Sequence, residues 1–99
     1  MTVEFVETRD DYQMIKVAGE ITAANSADFS SELKRCREEY ADGGLILDLA
    51  ELRYISSAGL RVLLTLSQKE GSKVKLIHAS EVMREILDET GFSGLFDVE

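Results

Sequence analysis

Proline is absent from the sequence, and its seven glycines are scattered. No linker or low-complexity tract interrupts the chain, so residues 1–99 are expected to form a single domain. Cations are scarce as well. Eleven Lys and Arg stand against nineteen Asp and Glu, a formal net charge of −8. Tight contact with nucleic acid or with an anionic membrane needs clustered Lys and Arg, so neither partner is expected. The acidity itself is accounted for by solubility, with steering of a basic partner as the alternative. A single cysteine, Cys36, rules out an internal disulfide. With one Cys, one His and no close ligand spacing, a metal site is not expected. Neither G-x-x-x-x-G-K-[ST] nor G-x-G-x-x-G occurs, so the chain has no phosphate-donor loop of its own, and no cofactor is called for. No stretch reaches the roughly 18 apolar residues of a membrane-spanning helix. Met1-Thr2-Val3-Glu4 lacks the basic-then-apolar opening of a secretory signal, and the expected compartment is the cytoplasm.

What is present is enough for one ordinary core, since 44% of the 99 residues are apolar. Val3 to Thr8 and Tyr12 to Val17 read as strands joined at the turn-like Arg9-Asp10-Asp11, with Gly19 ending the second. Asn25 and Ser26 offer helix caps. Phe29, Leu33, Cys36 and Tyr40 then fall on one helical face, and Gly43-Gly44 stops the helix. On that face Cys36 acts as a small hydrophobe. Leu45 to Leu49 is a short apolar run of the kind covered on both faces. A short connection leads to Tyr54-Ile55. Ser56 to Glu70 reads as a helix with Leu60, Leu63, Leu64 and Ser67 inward, and Gly71 ends it. Lys73 to His78 is another strand. Ser80 caps a third helix whose buried face is Val82, Met83, Ile86, Leu87 and Thr90. Leu95 to Val98 is a last short strand or a packed tail. The order is β-β-α-β-α-β-α: an α/β fold whose mixed β-sheet carries packed helices.

The most informative stretch runs from Asp48 to Leu64. A buried strand ends, and a short loop delivers Ser56 and Ser57 to the start of a helix. The first N–H groups of a helix have no partner within it and favour anions, helped by the helix dipole. Gly59 leaves that turn uncrowded. Two readings stand side by side. Either serine can be a plain N-cap, worth about 1 kcal/mol over alanine. Alternatively, one hydroxyl accepts a phosphate. This adds about −1.5 to −2 charges at a position where the fold tolerates them.

Asp48-Leu49 followed by Tyr54-Ile55-Ser56-Ser57-Ala58-Gly59-Leu60 resembles the signature of STAS domains, the family of sulphate transporters and anti-sigma-factor antagonists. The resemblance extends over nearly the whole chain. Val17-Ala18-Gly19-Glu20-Ile21 is similar to the family's second-strand ending, and Glu81-Val82, Ile86-Leu87, Thr90-Gly91-Phe92 and Leu95-Phe96 to its last helix and tail. The length is that of a free-standing antagonist. The resemblance implies partner switching. The unphosphorylated chain binds a serine kinase that doubles as an anti-sigma factor, and phosphorylation at the start of the second helix releases it. A phosphoserine phosphatase then resets the chain, which is monomeric when free. By position the modified residue is Ser57, with Ser56 as the alternative. The chain departs from the family pattern twice: Ser56 and Thr22 stand where Asp is common.

Ser56, Ala58, Gly59 and Arg61 are therefore expected at a docking surface, joined by Glu20, Thr22 and Asn25 if the strand-end loop lies beside the serines. For Arg61, a solvated surface charge is the competing reading. Two other functions are kept open: a scaffold subunit of a larger signalling assembly, and a small serine hydrolase. The hydrolase requires His78 beside a serine and a carboxylate behind it, and Ile55 replaces the first glycine of G-x-S-x-G.

Overall fold

A computed structural model describes residues 1–40 and 43–99. Strands β1 (Thr2–Arg9) and β2 (Tyr12–Ile21) form an antiparallel hairpin. Its tip is Asp10-Asp11, both at positive φ (49° and 66°), the backbone a two-residue hairpin turn requires. There follow α1 (Ser26–Glu39), β3 (Gly44–Asp48), β4 (Leu52–Ile55), α2 (Ser57–Lys69), β5 (Val74–Ile77), α3 (Glu81–Thr90), a 3₁₀ turn (Phe92–Gly94) and β6 (Phe96–Val98). The sheet has six strands in the order β1-β2-β3-β5-β6, with β4 paired to β2 off that path. Every pairing except β1–β2 is parallel. The expected mixed α/β sheet is therefore observed, with two strands added: β4 lies in the expected connection, and the tail is the strand β6.

Long β2 explains how β4 finds a place. Its first half, Tyr12 to Lys16, pairs with β3, and its last residues, Gly19 to Ile21, pair with β4. Gly19 does not end the strand as its sequence setting suggests. It sits at φ +91° beside a register shift, and its N–H donates to the Glu51 carbonyl at 2.9 Å, so β2 bends and continues.

One face of the sheet holds the core. Ile15, Val17, Leu45, Leu47, Val74 and Leu76 pack there with side chains from all three helices. Lys16, Asp48 and Lys75 alternate onto the other face, where Lys16 pairs with Glu51 and Lys75 lies 4.8 Å over the Tyr12 ring.

The helix boundaries and faces refine the sequence reading. Helix α1 ends at Glu39, before Gly43-Gly44; Gly44 already belongs to β3, and Gly43 enters it at φ +77°. Phe29, Leu33 and Cys36 are buried, and half-buried Tyr40 stacks on Phe5 with ring centroids 3.7 Å apart. Burial pushes the Cys36 thiol up, as suits a packing residue. The inner stripe of α2 is Gly59, Leu60, Leu63 and Leu66; Leu64 and Ser67 sit at its half-buried margin. In α3, Met83 and Leu87 are buried, but Val82 is 65% exposed and Thr90 is also outside. Helical periodicity placed them inward; the core is met by Met83 and Leu87, with half-buried Ile86 packed against it.

Candidate functional site

The two serines are separated by their hydrogen bonds. Ser56 is the N-cap of α2. Its side-chain oxygen accepts from the Gly59 N–H at 3.2 Å, and its carbonyl accepts from the Leu60 N–H at 2.9 Å. Its own N–H donates to the Ile21 carbonyl at 2.7 Å, fastening the start of α2 to the end of β2. Ser57 is the first helical residue. It is exposed, and its hydroxyl makes no side-chain hydrogen bond among the described residues. The capping role belongs to Ser56, which leaves the Ser57 hydroxyl open to chemistry.

Gly59 is the inner wedge of this turn. A Cβ built there would lie 2.7 Å from both Ile21 Cγ2 and Ile55 Cγ1, closer than non-bonded carbons approach. Any side chain would push α2 off the ends of β2 and β4. Helix α2 has no acidic residue in its first turn, so the positive end of its dipole is not neutralised from within.

The β2–α1 loop lies alongside, because β2 and β4 pair Glu20 with Tyr54 and Ile21 with Ile55. Asn25 precedes α1 without capping it by its side chain. Instead its Oδ1 accepts from the Thr22 N–H at 2.8 Å and its Nδ2 donates to the Glu20 carbonyl at 3.0 Å. The loop is thereby clipped to the end of β2. The structure brings Glu20, Thr22 and Asn25 into one neighbourhood with Ser56, Ser57, Ala58 and Gly59.

Arg61 is exposed and lies one turn along α2. It shares with Ser57 an open groove of about 420 Å³ between the N-terminal halves of α1 and α2. Ser26 and Ser30 form the α1 wall, and Thr65 belongs to the α2 wall. Ser30 and Thr65 were not singled out from the sequence, and Ser26 only as a helix cap. The spacing of Ser26 and Ser30 places them on one helical face, but only the packing of α1 on α2 turns that face toward Ser57. Tyr54, 53% exposed on β4, was likewise overlooked as a surface residue.

His78 follows β5 at φ +59°, with its Nδ1 2.9 Å from Asp48 Oδ1. Partial burial would raise the Asp48 carboxyl. The hydrogen bond from His78 and the Ala50 N–H, with the charges of His78 and Lys16, outweigh this and hold it below its ordinary value. The hydrolase reading needs His78 on a serine. Here it faces a carboxylate, and the Ser56 oxygen faces a backbone N–H.

No helix among the described residues is long and apolar enough to cross a membrane. Residues 5–99 match the STAS domain family. BtrV of Bordetella bronchiseptica, named as an anti-sigma factor antagonist, is 36% identical over 84 residues, covering 81% of this chain and 71% of the relative. An anti-sigma factor antagonist from Mycobacterium paratuberculosis superposes with a TM-score of 0.83 at 19% identity, over 98% of this chain and 83% of that one. The antagonist SpoIIAA in its unphosphorylated form gives 0.74 at 12% identity, over 99% and 88%. The phosphorylated form of the Bacillus protein gives 0.69 at 14%, over 99% and 91%. At such identities the structural likeness is one of fold.

Proposed function

Since the chain belongs to the STAS domain family, we propose that it is a single-domain, cytoplasmic anti-sigma factor antagonist that works by partner switching, with Ser57 as its phosphorylated residue. The observation that carries the reading is the division of labour between the serines: Ser56 is spent on the cap, and Ser57 stands exposed with its hydroxyl free. A relative 36% identical and named as an antagonist supports the class.

In this reading the free chain is a monomer that docks on a serine kinase acting as the anti-sigma factor. The contact surface is the outer side of the start of α2 (Ser56, Ala58, Arg61), seated on the sheet by buried Gly59, with the clipped loop of Glu20, Thr22 and Asn25. Kinase-bound ATP supplies the phosphoryl group. A bond forms from Ser57 Oγ to the γ-phosphorus, the bond to the ADP oxygen breaks, and the hydroxyl proton passes to the kinase. The product carries about −1.5 to −2 additional charges at the centre of the docking surface. Like charge and desolvation cost then weaken the complex, while the free N–H groups at the start of α2 keep the domain folded. A phosphatase removes the group by hydrolysis.

The test is incubation with the cognate kinase and ATP, peptide mass spectrometry, and measurement of kinase binding by Ser57→Ala and Ser57→Asp. One phosphate on Ser57, none in Ser57→Ala, and binding lost in Ser57→Asp are expected. Phosphate on neither serine, with Ser57→Asp binding as the native chain does, overturns the reading. Elution of the pure chain as a stable oligomer would favour a scaffold instead.

A further inference from the structure

We propose that Arg61 is the internal counter-ion of a phosphoryl group on Ser57, closing over it and holding it in the groove between α1 and α2. The inference rests on Ser57 being the modified residue, and adds what becomes of the phosphate once attached.

Geometry supplies the first reason. Residues four apart share a helix face, and helical side chains lean toward the N-terminus. A long side chain at 61 therefore reaches back over the turn that begins at 57. Both residues line the same groove, so they face the same way.

Charge supplies the second. Of the eleven Lys and Arg, Arg9, Lys16, Arg37 and Lys75 are each paired with a glutamate, and Arg61 is one of the seven with no such pair among the described residues. Among the described residues, Arg61 has no carboxylate within 4 Å, and it is the sole charged residue lining the groove. Nothing there competes for its guanidinium.

The third reason is chemical fit. A phosphoserine offers three acceptor oxygens, and guanidinium binds phosphate through two parallel N–H bonds. No acid among the described residues lines the groove: Ser26 on the opposite wall and Thr65 beyond donate their hydroxyls to the Ala23 and Arg61 carbonyls at 3.2 and 3.1 Å, which leaves Ser30 as the wall hydroxyl able to donate. The phosphate is thus drawn into the groove and partly neutralised. Arg61 then tunes both how strongly the modified face repels a partner and how readily a phosphatase reaches the ester.

The test installs phosphoserine at position 57 during translation, so no kinase is involved. Phosphorus NMR then follows the second ionisation of the phosphate in the native chain and in Arg61→Ala and Arg61→Lys. An adjacent cation favours the dianion. The native value should lie below that of Arg61→Ala by about 0.3 pH unit or more, with Arg61→Lys between them. The Arg61 Nε–H resonance should also move on modification. The pull of the α2 N-terminus is common to all three chains and cancels. Equal ionisation in the native chain and Arg61→Ala, with an unmoved Arg61 resonance, overturns the inference. Because the phosphate is placed without the kinase, that result would indict the clamp alone. Failure of the kinase to modify Ser57 would indict the switch alone.

Discussion

Helices α2 and α3 begin with the same device and differ at the next residue. Ser56 accepts from the Gly59 N–H at 3.2 Å, and Ser80 accepts from the Met83 N–H at 3.1 Å. Both caps are extended at ψ near 165° (169° and 163°). At the first helical position α3 has Glu81, a fixed negative charge on the positive end of its dipole, where α2 has the neutral Ser57. At the third, α3 buries the long side chain of Met83, whereas α2 has Gly59 wedged against Ile21 and Ile55. One helix start is thus permanently charged and held by a side chain. The other is uncharged and held by backbone contact. The comparison indicates that a negative group at the first position suits this kind of serine-capped start, and that of the two such helices α2 leaves the place vacant.

The largest effects expected lie at the third positions. Met83→Ala should cost about 2–5 kcal/mol through the cavity it leaves. Gly59→Met, which copies α3 into α2, should cost about 3 kcal/mol through overpacking. Urea denaturation reads both; a Gly59→Met chain as stable as the native one would show that α2 can pack as α3 does.

Next come the caps. Ser56→Ala and Ser80→Ala should each cost about 1 kcal/mol, and Ser57→Ala less than about 0.5 kcal/mol. An equal loss in Ser56→Ala and Ser57→Ala would erase the distinction between the two serines. Smaller still is the exchange of charge: Ser57→Glu should gain, and Glu81→Ser lose, about 0.3–1 kcal/mol at low salt. Both effects should shrink as salt is added. A destabilising Ser57→Glu would break the parallel between the helices.

The last prediction concerns the approach to α3, which passes through the His78–Asp48 bond. The Asp48 carboxyl is held below its ordinary value in the folded chain, so its contribution is complete above about pH 4 and is lost as pH falls through the lowered value. Asp48→Asn should flatten stability against pH in that acid range. Urea midpoints at successive pH values test this, and an unchanged acid limb would show that the pair contributes nothing.

Much of this was legible in the sequence because it is local. The Asp10-Asp11 turn, the serine caps and the Phe29–Leu33–Cys36 face depend on neighbours within a few residues. What escaped depends on distant ones. Strand β4 is four residues long with Arg53 and Tyr54 exposed, and exists because bent β2 offers it an edge. Val82 has the spacing of a core residue but stays 65% exposed, at the rim of a shallow pocket beside β4. As local sequence either serine can be the cap, and only the family resemblance favours Ser57 by position. Their physical separation comes from the cap geometry, which assigns the Ser56 oxygen to the Gly59 N–H. The groove that joins Ser57 to Arg61, Ser26 and Ser30 is a product of α1 packing on α2, and no local pattern announces it.

The wedge at Gly59 divides the first turn of α2 into an inner half that tolerates no change and an outer half that does. Substitution that the fold tolerates is therefore confined to outward positions such as 58 and 61. Under the proposed partner switch, changes there would alter which kinase is engaged while the scaffold beneath stays the same. Insulation between parallel signalling circuits is then a matter of a few outward side chains, reached without passing through an unfolded ancestor.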